Sequence, residues 1–203
     1  MLPELKKTIA SLPTSEISDV RRTILRQVVD YIHLKLETNQ PVKLNFICTH
    51  NSRRSQMAQI WAQTAANYYK LTIACYSGGI EVTAFNEKAI AAIEQAGFKV
   101  SKKGNDNPEY LIKYKSQGPG IIAYSKLYND DVNPDNDFAA IMACAEAEVN
   151  CPFIPGAVAR ISLPYDDPKE FDSSPFVTEK YIERSNQIGA EMFYMFSQIR
   201  PKQ

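Results

Sequence analysis

The sequence carries no excess of charge of either sign: 23 Lys and Arg balance 23 Asp and Glu over 203 residues. That balance excludes a global field drawing the chain to nucleic acid or to an anionic membrane, while leaving room for a local anion site. No apolar run approaches the length of a membrane span. The opening MLPELKKTIASLPTSE lacks the apolar core and small-residue cleavage site of a secretory signal, so the expected address is the cytoplasm. Histidine is scarce, with only His33 and His50, and the cysteines at 48, 75, 144 and 151 include no close pair. That spacing excludes a zinc site, and neither a metal nor an organic cofactor is expected. In a reducing compartment structural disulfides are excluded too, which leaves buried thiols, catalysis or redox exchange as uses of the sulfur. Internal repeats and low-complexity tracts are absent.

What is present suits a soluble globular chain with one sizeable core: 44% of the residues are hydrophobic. Residues 18–39 place Val20, Ile24, Val28, Ile32 and Leu36 at helical spacing, widened by Leu25 and Val29. Ser18 is the expected cap and Pro41 follows the end. This stripe would pack on the body of the chain or on a partner chain. Strands are expected at 43–48, 71–77, 138–144 and 157–165. Helices are expected at 52–69, 86–98 and 178–199, with Asn86 as N-cap and Gly97 as stop of the second. Strands alternating with helices predict a parallel α/β sheet. The stretch 101–137, rich in Lys, Asn, Asp, Gly and Pro, reads as a helix-containing insertion or a long loop.

The segment CTHNSRRS, residues 48–55, concentrates chemistry. Ligands of open α/β sheets bind beyond the carboxyl ends of the strands, where Cys48 falls. A helix begins a few residues later, so the intervening amides can face an anion, aided by the helix dipole. Arg54 can offer a planar fork to two oxyanion oxygens. The same donors would steady a charged sulfur at Cys48, and Ser55 can donate a hydroxyl to it. Asn51 tolerates a left-handed backbone and can shape the loop. The plainer alternative is a buried cysteine at a strand end with surface arginines nearby.

The stretch ICTHNSRRSQMAQ resembles the active-site loop of the low-molecular-weight protein tyrosine phosphatase superfamily. Within it, it is most similar to the thioredoxin-coupled arsenate reductases, whose loop reads Cys-Thr-x-Asn-Ser-x-Arg-Ser-x-Met-Ala. The resemblance spans roughly residues 43–200 with a break at 101–137, and YSGGIE (76–81) fits the segment after the second strand. It implies a four-stranded parallel sheet in the order 2-1-3-4 flanked by helices. It also implies two parts: residues 1–42 as an N-terminal helical extension, and 43–203 as the α/β domain. Oxyanion binding falls to Thr49, His50, Asn51, Ser52, Arg53, Arg54 and Ser55, with arsenate or phosphate as the anion. Arg53 is expected to be solvated rather than catalytic, and His50 to pack.

LPYDDPKEF follows the fourth strand and opens on the same edge as Cys48. The superfamily carries its general acid as an Asp directly before Pro, which maps to Asp167. The plainer alternative is turn chemistry; Asp166 is expected to cap or solvate. CAEAEVNC, with Cys144 and Cys151, separates reductase from phosphatase. Reduction of As(V) needs two electrons, which a second thiol can help supply, and first and third strands are neighbours in a 2-1-3-4 sheet. The resemblance implies a relay from Cys48 to Cys144 to Cys151, with thioredoxin as electron donor; the six-residue separation and Pro152 fit it. The sequence AEAEV favours a helix. Two cysteines seven apart would then stand roughly 10.5 Å apart along the axis, so the relay requires unwinding. Cys75 is expected to be a buried, inert thiol.

Some positions depart from the family pattern. Gln59 stands where an acid often follows Met-Ala, which puts a potassium site in doubt. No paired tyrosines follow Asp-Pro, which argues against phosphotyrosine as substrate. The expected function is reduction of arsenate to arsenite. The alternatives are phosphomonoester hydrolysis through a phosphocysteine, and a non-catalytic oxyanion-binding module with a homodimer through helix 18–39.

Overall fold

The computed structural model describes residues 1–150 and 153–199. Two helices come first, α1 (Pro3–Ser11) and α2 (Asp19–Glu37). The Ser18 hydroxyl caps α2 by accepting from Arg21 N at 3.3 Å. Strand β1 (Val42–Cys48) then leads into α3 (Arg54–Tyr68), β2 (Ile73–Gly79) and α4 (Glu87–Gln95). Asn86 caps α4 through Lys88 N and Ala89 N. Three short strands follow: β3 (Lys99–Lys103), β4 (Glu109–Lys113) and β5 (Ile121–Ala123). The chain returns to the main sheet with β6 (Phe138–Met142), turns through α5 (Ala145–Asn150), adds β7 (Ala157–Ser162) and closes with α6 (Val177–Ser197).

The main sheet is parallel in the order β2-β1-β6-β7. This is the expected 2-1-3-4 order, renumbered by the three inserted strands. β1 is central, pairing Cys48 with Gly79 on one side and Ile47 with Met142 on the other. Parallel strands covered on both faces read as apolar runs. Accordingly β6 is buried throughout, and β1 is buried everywhere except Lys43. One core joins Leu44, Phe46 and Ile141 to Trp61 of α3 and Phe196 of α6.

α2 packs on the body of the chain. Leu25, Val28, Val29, Tyr31 and Ile32 are buried, and Leu36 is partly so. Val20, expected in the same stripe, is 76% exposed; in that first turn it is Arg21 that reaches α6, through Glu191. α1 reaches the turn after α4: a Cβ on Gly97 would come within 2.4 Å of Leu5 N, and its φ of +98° excludes most other residues.

The stretch 101–137 corrects the sequence expectation. No helix lies between Lys99 and Asp137; the segment builds an antiparallel sheet in the order β3-β4-β5. The cause is alternation over very short runs: Tyr110 and Ile112 face inward in EYLIK, and Ile121 and Ala123 do so in IIA.

Candidate active site

Residues 49–53 bridge the end of β1 and the start of α3, at the point where the sheet order reverses. Their carbonyls turn outward. Thr49 O accepts from Ile80 N at 2.8 Å and Glu81 N at 2.9 Å. His50 O accepts from the Ser125 hydroxyl at 2.8 Å, Asn51 O from Gln56 Nε2 at 3.1 Å, and Ser52 O from Asn86 N at 2.9 Å. A trans peptide points N–H and C=O in opposite directions. The amides of His50, Asn51, Ser52 and Arg53 therefore face the hollow of the loop, the geometry of an anion nest.

Asn51 sets the turn. Its φ is +46°, a region Asn tolerates. Its side chain donates to Ser55 Oγ at 2.8 Å and accepts from Lys126 N at 3.1 Å and Gln56 Nε2 at 3.0 Å. Gly79 runs beneath, where a Cβ would lie 2.8 Å from both Asn51 N and Thr49 O.

Cys48 Sγ lies 3.0 Å from Ser55 Oγ. Because that oxygen already accepts from Asn51, the serine's own hydrogen is available to the sulfur. Arg54 is buried at the first position of α3. It donates to Asp167 Oδ2 at 2.7 Å, to Tyr165 O at 3.1 Å and to Glu146 Oε2 at 3.4 Å. Asp167 also caps the short turn Pro168–Phe171 by accepting from Lys169 N. The turn use is thus observed, and the same carboxylate stands beside the loop. Asp166 is exposed and pairs with Arg184 at 3.0 Å.

Cys144 follows β6 at the same rim as Cys48, where Ala143 N donates to Ile47 O at 2.7 Å. Its sulfur lies 3.5 Å from Thr49 Oγ1 and accepts from Ala147 N at 3.3 Å. Burial pushes this thiol up; the Thr49 hydroxyl, the Ala147 amide and the Arg54 charge pull the other way, and Cys48 adds to the rise. Cys151 and Pro152 lie outside the described residues. The AEAEV segment between them and Cys144 forms the expected helix, α5. Cys75 is buried, and burial alone raises its thiol far above the ordinary value, as suits an inert sulfur.

Other positions fall differently. Arg53 is not solvated: it is 14% exposed, donates to the Tyr181 hydroxyl at 2.9 Å, and lies 3.8 Å from Asp172 and 3.9 Å from Asp167. Its guanidinium is held by that cluster, so its place in the nest is through its amide. Ser52 spends its hydroxyl on Ala84 O at 2.6 Å. His50 reaches Glu81 at 3.2 Å and is 42% exposed rather than packed. Gln59 is tied up among neutral groups, donating to Cys75 O at 3.1 Å and accepting from the Ser77 hydroxyl at 2.6 Å.

Sequence reading missed three contributors. Glu146 contacts Arg54 and Cys144; its carboxyl is held low by its own backbone amide, then by Arg54 and by a hydrogen bond from the Cys144 thiol. Tyr165 offers Arg54 its carbonyl. Residues 124–126, inside the stretch 101–137, hold the loop from outside through Tyr124 O, Ser125 and Lys126 N. The apolar patch GIIAYSKLY was the one signal for them.

A cysteine closing a central parallel strand, a loop of inward amides and an arginine opening the next helix place the chain in the low-molecular-weight protein tyrosine phosphatase fold. The low molecular weight phosphotyrosine phosphatase of Vibrio cholerae superposes with a TM-score of 0.53 at 14% identity, covering 77% of this chain and 95% of that one. No family model matches the sequence. The arsenate reductase of Staphylococcus aureus (strain Newman) is 36% identical over 124 residues, 61% of this chain and 76% of that protein. Arsenate reductase 2 of Staphylococcus epidermidis is 31% identical over the same shares. The chain belongs to the arsenate reductase family.

Proposed function

We propose that the protein reduces arsenate to arsenite, with the oxyanion held in the 49–55 loop and thiols supplying the electrons. The observation that carries this reading is a second buried thiol, Cys144, set against Thr49 of the loop that opens with Cys48. The sequence relatives support it. Cys48 adds to arsenic and one oxygen leaves as water, with Asp167 placed to pass the proton and Arg54 holding the remaining oxygens. Cys144 then attacks Cys48 Sγ. The sulfur–arsenic electron pair leaves with arsenic, which departs as arsenite, and a Cys48–Cys144 disulfide remains. Cys151 attacks Cys144 in turn, freeing Cys48, and thioredoxin's dithiol reduces the Cys144–Cys151 disulfide. Such a reductant places the reaction in the cytoplasm. Among the described residues, no helix is long and apolar enough to cross a membrane.

The test is arsenite formation with thioredoxin, its reductase and NADPH. Wild-type turnover and none with Cys144→Ser is the expected pair of results; undiminished turnover by the variant sinks the relay. Phosphomonoester hydrolysis is the second reading. A groove of about 460 Å³ beside the loop, between Arg53, Asn86, Tyr110 and Lys169, favours it by offering room for more than an oxyanion. Aryl phosphate hydrolysis that survives Cys144→Ser and dies with Cys48→Ser would select it. Residues 1–42 form, in this reading, a helical extension to the α/β domain. A homodimer through α2 has Val20 and Leu34 as that helix's exposed large apolar side chains, and sedimentation would decide it.

A further inference from the structure

Tyr165 is held at four points. Its amide donates to Ala143 O at 3.1 Å, one residue ahead of Cys144. Its carbonyl takes Arg54 at 3.1 Å, and its chain leads two residues on to Asp167, the other partner of Arg54. The side chain is buried against a charged pair. The phenol donates to Glu191 Oε2 at 2.7 Å. Glu191, 2% exposed on α6, also receives a fork from Arg21 of α2: Nε to Oε1 at 2.8 Å and Nη2 to Oε2 at 2.9 Å. Gln187 adds a bond at 3.3 Å, and the Arg21 guanidinium lies 4.6 Å over the Tyr165 ring. Burial and the Glu191 carboxylate hold the phenol protonated, so it serves as a donor here.

Packing alone does not call for this arrangement. Apolar side chains of similar volume fill such a space at least as stably as a buried ion pair does. What a planar fork adds is a fixed distance and angle. The groups so fixed lead to Arg54, Asp167 and the residue before Cys144.

We propose that Arg21, Glu191 and Tyr165 are positioning residues, a brace through which the N-terminal helix α2 sets Arg54 and the Asp167 turn. The brace gives residues 1–42 a part in the site; for its effect on affinity it rests on the 49–55 loop being the oxyanion site.

The test compares wild type with Arg21→Met/Glu191→Leu, which removes both charges and leaves neither buried alone. Three quantities are read: melting temperature, affinity for inorganic phosphate by calorimetry, and amide hydrogen exchange over residues 163–168. The double variant is expected to melt a few degrees below wild type, because the buried Tyr165 hydroxyl loses its acceptor, to bind phosphate about three- to tenfold more weakly, and to exchange faster over 163–168. Wild-type affinity and exchange in that variant would overturn the brace. Should the variant not fold, Tyr165→Phe decides the matter, since it removes one oxygen and is expected to move affinity and exchange in the same directions. A wild type that binds neither phosphate nor arsenate would remove the functional reading, and the exchange measurement would still judge the brace.

Discussion

The Thr49 hydroxyl lies 3.5 Å from Cys144 Sγ, joining the loop that opens with Cys48 to the thiol that follows β6. Burial raises the Cys144 thiol, and Thr49 is the largest influence pulling it back down. Thr49→Val keeps the shape and deletes the donor. Because the inward amides of residues 50–53 and Arg54 are kept, we expect the loss in arsenate affinity to be small beside the loss in rate, with the Cys48–Cys144 disulfide forming about ten- to a hundredfold more slowly, the worth of a hydrogen bond to a charged group. Single-turnover quench followed by mass mapping measures the step. An unchanged rate would remove Thr49 from it.

Gly79 and the loop touch through backbone atoms. A Cβ at Gly79 would meet Asn51 N, Thr49 O and Glu81 O at 2.6–2.8 Å, and none of these can swing aside. Gly79→Ala is expected to cost about 1–3 kcal/mol of stability and to weaken phosphate binding, since relief requires moving the nest itself. Urea unfolding and calorimetry on the same samples test both halves. A variant that is destabilised yet binds phosphate normally would show that the strain is relieved elsewhere.

Much of this site was legible in the sequence because its central part is local. KLNFIC ends in a cysteine, the loop that follows is polar, and Arg-Ser opens the next helix, all within thirteen residues. The Asn86 cap and the Asp167 turn were legible for the same reason, since capping chemistry acts over two or three residues. What escaped depends on distant partners. Arg53 looks like a surface cation until Tyr181 of α6 is brought beside it. Glu146 is an exposed helix acid in the structure as in the sequence, and only the fold brings Arg54 to face it. The inserted sheet was hidden by its shortness: three residues in β5 carry too little alternation to stand out among turn formers.

Lys126 gives the fold a pH signature. It is 4% exposed, lies 4.6 Å over the Tyr124 ring, and its backbone amide holds Asn51. Burial pushes its pKa down to about 8, against an opposing pull from Asp130. In the unfolded chain the amine keeps its proton to about pH 10.4. Between these values the unfolded state binds the extra proton, so this group's contribution makes stability rise with pH; below about pH 8 both states are protonated and the penalty is constant. Lys126→Met abolishes the effect. Its stability relative to wild type is expected to be greatest near pH 7 and to shrink by up to about 3 kcal/mol toward pH 10. Taking the difference cancels the opposing titration of Cys75 and Cys144. A difference that stays flat across that range would show that Lys126 keeps its proton.

α5 is a six-residue helix, too short to stand on its own, and the relay asks it to open. Glu148 fastens it to β7: its carboxylate accepts from the Ser162 hydroxyl and lies 3.6 Å from Arg160, which also donates to the Glu148 carbonyl. Further ties are at the Cys144 end, where Ala147 N donates to the sulfur and Glu148 N to the Cys144 carbonyl at 3.2 Å, and at Glu146, whose exposed carboxylate meets Arg54 at 3.4 Å. Disulfide formation at Cys144 moves that sulfur and strains this end, leaving Glu148 as the anchor to β7. Glu148→Gln weakens the anchor by about 1 kcal/mol, a figure kept small because the carboxylate is about one-third exposed. Amides 145–150 of the reduced variant are therefore expected to exchange about fivefold faster than in reduced wild type, and the Cys144–Cys151 disulfide to form faster after one arsenate turnover. Oxidised wild type should show the same loosening without any substitution. If exchange over 145–150 is identical in reduced and oxidised wild type, α5 does not open, and a disulfide across it has no route to form.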